Sequence, residues 1–246
     1  MQGRRLRSGL IRRLAQLYVG LLLYGLGCAL EVRGNLGLDP WDVFHQGLSR
    51  HLHVQIGTVV IIVGAAVLVL WWPLRQWPGL GTVSNVIFVG LSMNWSLALI
   101  PYSERLWARI PEMCGGILVL GVATGMYIGA AFGPGPRDGL MTGLARRTKR
   151  SIRLVRTLLE VTVLAAGWAL GGTVGIGTLL FAVSIGPLAQ IFLPIFETTD
   201  RAMSARAKSA PPRERSELAD PLEADAVSPM GPSEASGLDA AAPSAH

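Results

Sequence analysis

Apolar residues gather into six runs, approximately Leu14 to Val32, Val54 to Trp72, Thr82 to Ile100, Met113 to Phe132, Leu154 to Leu170 and Ile176 to Ile195. About 20 residues at 1.5 Å rise cover a hydrocarbon core of roughly 30 Å, so each run is long enough for a crossing helix. The pattern predicts an all-α polytopic membrane protein with six transmembrane helices. A basic stretch containing Arg4, Arg5, Arg7, Arg12 and Arg13 precedes the first run. That run is nevertheless too long for the apolar core of a leader peptide, no small-x-small site follows it, and five further runs do. Past Phe196 the pattern gives way to Ala, Ser, Pro and alternating charge, as in Pro211-Pro212-Arg213-Glu214-Arg215. Such a composition cannot bury enough apolar surface to fold, so 197–246 is expected to be disordered.

Composition agrees with the pattern. Of 246 residues, 50% are hydrophobic and only 15% charged, against about a quarter charged in soluble domains. Seventeen bases and seven acids precede residue 197, whereas five bases and nine acids follow from Glu197 onward. The basic excess therefore lies between apolar runs rather than along one soluble face, which excludes a nucleic-acid partner and points to the lipid bilayer. With the N-terminus inside, the connections place fifteen Lys and Arg inside and four outside. This predicts a topology with both termini inside. The implied organisation is a basic arm 1–13, a first membrane repeat 14–112, a second 113–196, and the tail. Cys28 and Cys114 form neither a disulfide framework nor a CxxC motif. Without a Ser-His-Asp set, HExxH or Walker loop, no enzyme activity, cofactor or metal site is expected.

Shifting the chain by 96 residues without a gap aligns it with itself. Gly25 meets Gly121, Pro40-x-Asp42 meets Pro136-x-Asp138, Gly47-Leu48-x-Arg50 meets Gly143-Leu144-x-Arg146, and Gly79-x-Gly81-Thr82 meets Gly175-x-Gly177-Thr178. About one position in four is identical from Gly20 to Leu97. The matches are Gly, Pro, Asp and Trp more than interchangeable aliphatics. Three crossings per copy make the second copy enter from the opposite side, so the repeats are inverted, as in many secondary transporters. The competing reading is a duplication kept for packing alone.

The segments from Gly37 to Ser49 (GLDPWDVFHQGLS) and from Gly133 to Leu144 (GPGPRDGLMTGL) resemble the paired signatures of the YczE/YitT-like bacterial integral membrane proteins. The resemblance spans about Leu14 to Phe196. It implies a polytopic helical fold in the bacterial inner membrane, and no settled molecular activity.

The two signature segments read as short half-helices. Asp39 can cap a helix opened by Pro40 and running to about His51, because proline's missing N–H is harmless at the first helical position. Trp41, Phe44 and Leu48 form its apolar face, opposite Asp42, His45, Gln46 and Ser49. The second copy opens with Gly135 and Pro136 and carries Asp138. Gly37 and Gly133 lie in approaches that do not readily stay helical. Irregular backbone at membrane depth survives only against protein or a water-filled cavity, so matched interruptions point to a binding site. Asp42 and Asp138 then offer one carboxylate per half for a solute, cation or proton. Two other readings remain open. Each carboxylate suits the free N–H groups of a first helical turn, or both helices lie flat at the membrane interfaces.

Glu160 and Arg156 share a face of the fifth run, where charge is costly and marks a pathway or a pair. Their repeat partners, Gly64 and Val60, are uncharged, so the pair is a candidate coupling element. The alternative is an arginine snorkelling to the cytoplasmic edge with Glu160 neutralising it. Asn94 and Gln190, matched across the repeat, are candidate site residues or interhelical hydrogen-bond glue. Gly121, Gly125 and Gly129, with Gly25 and Ala29 as counterparts, predict close packing between the first and fourth runs. The function expected is secondary transport of a small solute, with a non-transporting membrane scaffold as the alternative. The oligomeric state is left open.

Overall fold

A computed structural model describes residues 2–197, so the predicted tail, apart from Glu197, lies outside the described residues. Eight helices follow one another: α1 Gln2–Gly34, α2 Pro40–Leu52, α3 Ile56–Trp71, α4 Leu80–Leu99, α5 Leu106–Gly129, α6 Pro136–Thr148, α7 Ile152–Ala169 and α8 Ile176–Phe196. All six apolar runs are helical. The first helix begins at Gln2 rather than near Leu14, because nothing in the basic arm breaks the helix.

By length and composition, α1, α4, α5 and α8 can each cross a membrane. The pair α2 and α3, bent by 111°, passes only when taken together. Among the described residues the architecture is thus all-helical, with four helices long and apolar enough to cross, or five spans if that pair is one. Two of the six expected crossings fall short for separate reasons. α3 has 16 residues, and α7 carries Arg153, Arg156 and Glu160 in 18.

The 96-residue offset reappears in the backbone. α2 and α6 open on Pro40 and Pro136 and end at left-handed His53 and Lys149. α3 and α7 open at Ile56 and Ile152, and α4 and α8 at Leu80 and Ile176. Positive φ recurs in register at Asn35 and Ala131, at Gly37 (122°) and Gly133 (115°), and at Arg75 and Gly171. At those two φ values a side chain is strained, so glycine there fixes the path into each short helix. The GxGT turns match across the repeat as well. Gly79 and Gly175 are the N-caps, and Thr82 and Thr178, three residues on, accept hydrogen bonds from their N–H groups at 3.2 and 3.3 Å.

α1 and α5 cross at the centre, where Gly20, Gly27 and Gly34 of α1 and Gly116 of α5 bring the backbones together. The expected glycine stripe serves another seam. Gly121, Gly125 and Gly129 face Leu188, Phe192 and Phe196 of α8, while Gly25 faces α4. A stripe four residues apart fixes that a helix docks closely, and carries no information about which one.

The short helices exchange partners between halves. α2 packs on α7 and α3 on α6. Trp71 fills the space above Gly139, and its indole N–H donates to the Pro136 carbonyl at 3.1 Å. At the equivalent contact the large residue changes sides, because Val43 and Phe44 of α2 cover Gly167. The loop before each short helix is likewise completed by the other half. Leu38 donates to Thr173 and Gly177 to Leu36, at 3.2 and 2.9 Å, while Gly81 donates to Phe132 at 2.9 Å. Thr82 Oγ1 donates to the Pro134 carbonyl at 2.7 Å. The irregular backbone thereby finds protein partners, the condition a low-dielectric setting imposes.

Candidate functional site

Where the N-termini of α2 and α6 approach, charged side chains collect. Asp39 caps α2 as the sequence predicts, its Oδ1 accepting from the Trp41 and Asp42 amides at 2.7 and 2.9 Å. The Asp39 amide donates to Glu31 Oε2 of α1 at 3.3 Å. Asp42 Oδ1 accepts from His45 Nδ1, one turn later, at 2.9 Å. From the other half, Arg137 reaches across: its two terminal nitrogens lie 3.5 Å from Asp39 Oδ1 and 3.5 Å from Asp42 Oδ1. Its guanidinium also stacks 5.2 Å above the Trp41 ring. Trp41 and Arg137 are repeat equivalents, so this stacking places the two helix starts face to face.

Glu31, Asp39, Asp42 and His45 are all 2% exposed or less. Three buried carboxyl groups therefore gather around one partly exposed guanidinium. Such charge is tolerated only when paired or bound. One oxygen of each acid (Glu31 Oε1, Asp39 Oδ2, Asp42 Oδ2) is buried without a hydrogen-bond partner. Ligand atoms of Cys28, Asp39 and Asp42 lie within 4.8 Å of one another.

The second half answers differently. Asp138 Oδ2 accepts from the Tyr127 hydroxyl at 2.8 Å. Tyr127 is the repeat equivalent of Glu31 and Gly135 that of Asp39, so two acids of one half are replaced by neutral residues in the other. α2 turns Asp42 and His45 inward and packs on α7 and α3.

Asp39, His45, Arg137 and Asp138 line one side of a cavity of about 340 Å³, with Tyr24, Tyr127 and the valines of α3 and α4 around them. Asp42, fully buried, sits behind this wall. Gln190 of α8 and the pair Arg156–Glu160 of α7, joined at 2.9 Å, line the same cavity. Asn94 does not take part. Its side chain accepts from the Gly57 amide at 2.9 Å and donates to Thr58 Oγ1 at 3.2 Å, joining α4 to α3. Of the glue reading for the matched amides, Asn94 keeps it and Gln190 does not.

The cavity has an open flank. α3 and α4 pack closely because Gly57 meets Gly90 and Gly64 meets Val86. In α7 the residues equivalent to Gly57, Val60 and Gly64 are Arg153, Arg156 and Glu160. Among the described residues α7 has no comparable packing on α8, and Gly186, equivalent to Gly90, faces open space. Charged residues of α7 thus stand at the positions where small ones close the α3–α4 seam.

Sequence reasoning finds Asp42, Asp138, Pro40, Pro136, Gly37 and Gly133, all of which shape this junction. It misses Glu31, Cys28 and Arg137 as members. Glu31 carried a usable signal, since it is an acid inside the first apolar run. Arg137 counts only as a loop base until α6 is seen to start beside it.

Residues 11–194 match the model of a Family of unknown function (DUF6198). An Uncharacterized protein of Haemophilus influenzae is 39% identical over 73% of this chain and 82% of its own. The Uncharacterized membrane protein YczE of Bacillus subtilis is 30% identical over 84% of this chain and 99% of its own. The Uncharacterized protein YyaS of Bacillus subtilis is 27% identical over 73% and 91%. No solved structure matches the chain.

Proposed function

The chain belongs to this family of unknown function, and from the charged junction at its centre we propose that it is a secondary transporter of a small solute. A multi-pass membrane protein is the premise, given the YczE relative and the apolar helices. In the proposed topology, α2 with α3 and α6 with α7 each make one broken crossing. That gives six crossings in two inverted three-crossing repeats, with both termini cytoplasmic in a bacterial inner membrane.

One observation carries the reading. Two helix starts 96 residues apart meet at Arg137 and Trp41, and carboxylates from both halves stand around a single cavity. Broken helices meeting between repeats are the usual setting of a transporter's substrate site. A packing role alone gives no reason to keep three buried acids around one guanidinium. The α7–α8 seam supplies a route into the cavity, and Arg156 with Glu160 on its wall acts as the coupling pair.

The test is uptake into proteoliposomes across a panel of small solutes, under proton and sodium gradients. Asp42→Asn and Asp138→Asn should abolish uptake while both proteins still reach the membrane. Wild-type protein that moves no solute faster than protein-free vesicles refutes the proposal, as does full activity in both variants.

A further inference from the structure

We propose that Cys28, Asp39 and Asp42 form a binding site for one thiophilic divalent metal ion of the zinc class, with Glu31 supplying a fourth donor. The inference rests on reading this junction as a transporter's ion-binding centre, and names the ion. Cys28 and Glu31 lie three residues apart on α1, and Asp39 and Asp42 lie three apart at the start of α2, so two helix ends bring three donors together, with Glu31 beside them on the Asp39 amide. The ligand atoms of Cys28, Asp39 and Asp42 are all within 4.8 Å of one another. Around a tetrahedral ion, bond lengths of about 2.3 Å to sulfur and 2.0–2.2 Å to oxygen put ligand atoms about 3.5 Å apart. Closing the site from separations of up to 4.8 Å thus needs a shift of about 1 Å, within the reach of side-chain rotation.

A second observation is independent of that clustering. Every hydrogen bond and ion pair to Asp39 and Asp42 described above falls on Oδ1. The Oδ2 atom of each, and Glu31 Oε1, are buried and meet no nitrogen or oxygen donor, while the Cys28 thiol is a hydrogen-bond partner of Asp42. An acceptor oxygen left bare in a fully buried side chain costs free energy unless something positive meets it. Arg137 occupies the Oδ1 edge and leaves these oxygens free, while offsetting part of the negative charge.

The donor chemistry selects the ion. Calcium takes six to eight oxygens and magnesium a near-octahedral oxygen set. A thiolate with two or three carboxylate oxygens instead suits a tetrahedral, borderline-soft ion. Binding releases the Cys28 thiol proton. His45, bonded to Asp42 Oδ1, orients that ligand from behind.

Cobalt(II), titrated into the purified full-length Cys114→Ser protein in detergent, tests the site with Cys28 as the sole thiol. One ion per chain should bind and give thiolate-to-cobalt charge-transfer absorption, which zinc then displaces. Cys28→Ser should abolish the band, and Asp42→Asn should weaken binding at least tenfold. His45→Ala should weaken it roughly 10–100-fold, as loss of a ligand-orienting partner does. As a check that needs no change near the site, zinc should raise the melting temperature of the wild-type protein where magnesium does not. No saturable cobalt band, a band that survives Cys28→Ser, or no zinc-specific thermal shift overturns the site. A protein that moves solute yet binds no cobalt refutes this inference alone. One that binds cobalt yet moves no solute refutes only the transport reading.

Discussion

Arg137→Gln is the most informative single perturbation. The guanidinium lies 3.5 Å from each of two buried carboxylates. At an effective dielectric of about 20, Coulomb attraction at that distance is roughly 5 kcal/mol per pair. The cost of desolvating the arginine offsets much of it. What remains after substitution is an uncompensated buried charge, and breaking a buried pair this way typically costs about 3–5 kcal/mol. The stacking on Trp41 adds about 1 kcal/mol more. Glutamine keeps a hydrogen-bond donor but not the charge, so Arg137→Gln should lose roughly 3 kcal/mol at neutral pH.

The sign with pH follows directly. With the arginine gone, Glu31, Asp39 and Asp42 repel one another when ionised, and protonation in the folded protein relieves that repulsion. The deficit should therefore be largest at neutral pH and shrink as pH falls through the carboxylate range. Adding Asp39→Asn should restore part of the loss at pH 7. Thermal unfolding of detergent-solubilised protein across pH measures all three. A variant that melts with the wild type at pH 7, or whose deficit is equal at every pH, refutes the account of the junction as one held by charge balance.

Two further outcomes follow from packing and capping. Gly139→Ala places a methyl against the buried Trp71 ring, which its bond to the Pro136 carbonyl fixes in place. Overpacking of this kind should cost about 1–3 kcal/mol, read as a lower melting temperature that Trp71→Phe at the same seam partly restores. Asp39→Asn keeps the cap on the Trp41 and Asp42 amides and removes only charge, whereas Asp39→Ala removes both. Asp39→Ala should therefore melt lower than Asp39→Asn by the equivalent of about 1 kcal/mol, and equal melting would show that the cap contributes nothing.

Periodicity and punctuation made the helices legible. The proline-opened half-helices, the glycine approaches and the 96-residue repeat all follow from backbone rules that act locally, and they are written in residue types. The cluster was less legible because its members come from separate elements. Asp39 read as a cap and is one, but nothing local told that Glu31 would stand behind it or that Arg137 would arrive from the other half. Cys28 sat among small packing residues, and ligand spacing rules see only neighbours in sequence. The glycine stripe of α5 shows the same limit, for it announced a close neighbour and left its identity to the tertiary fold.

Each half supplies hydrogen-bond partners for the other half's irregular loop. When the ribosome has delivered only the first 99 residues, the Leu36–Leu38 backbone therefore still lacks Thr173 and Gly177. An early intermediate must keep that stretch wet or shielded by the insertion machinery until synthesis reaches the last helix. The two loops are thus completed only when both halves are present, and the halves expressed as separate chains should each accumulate better together than alone.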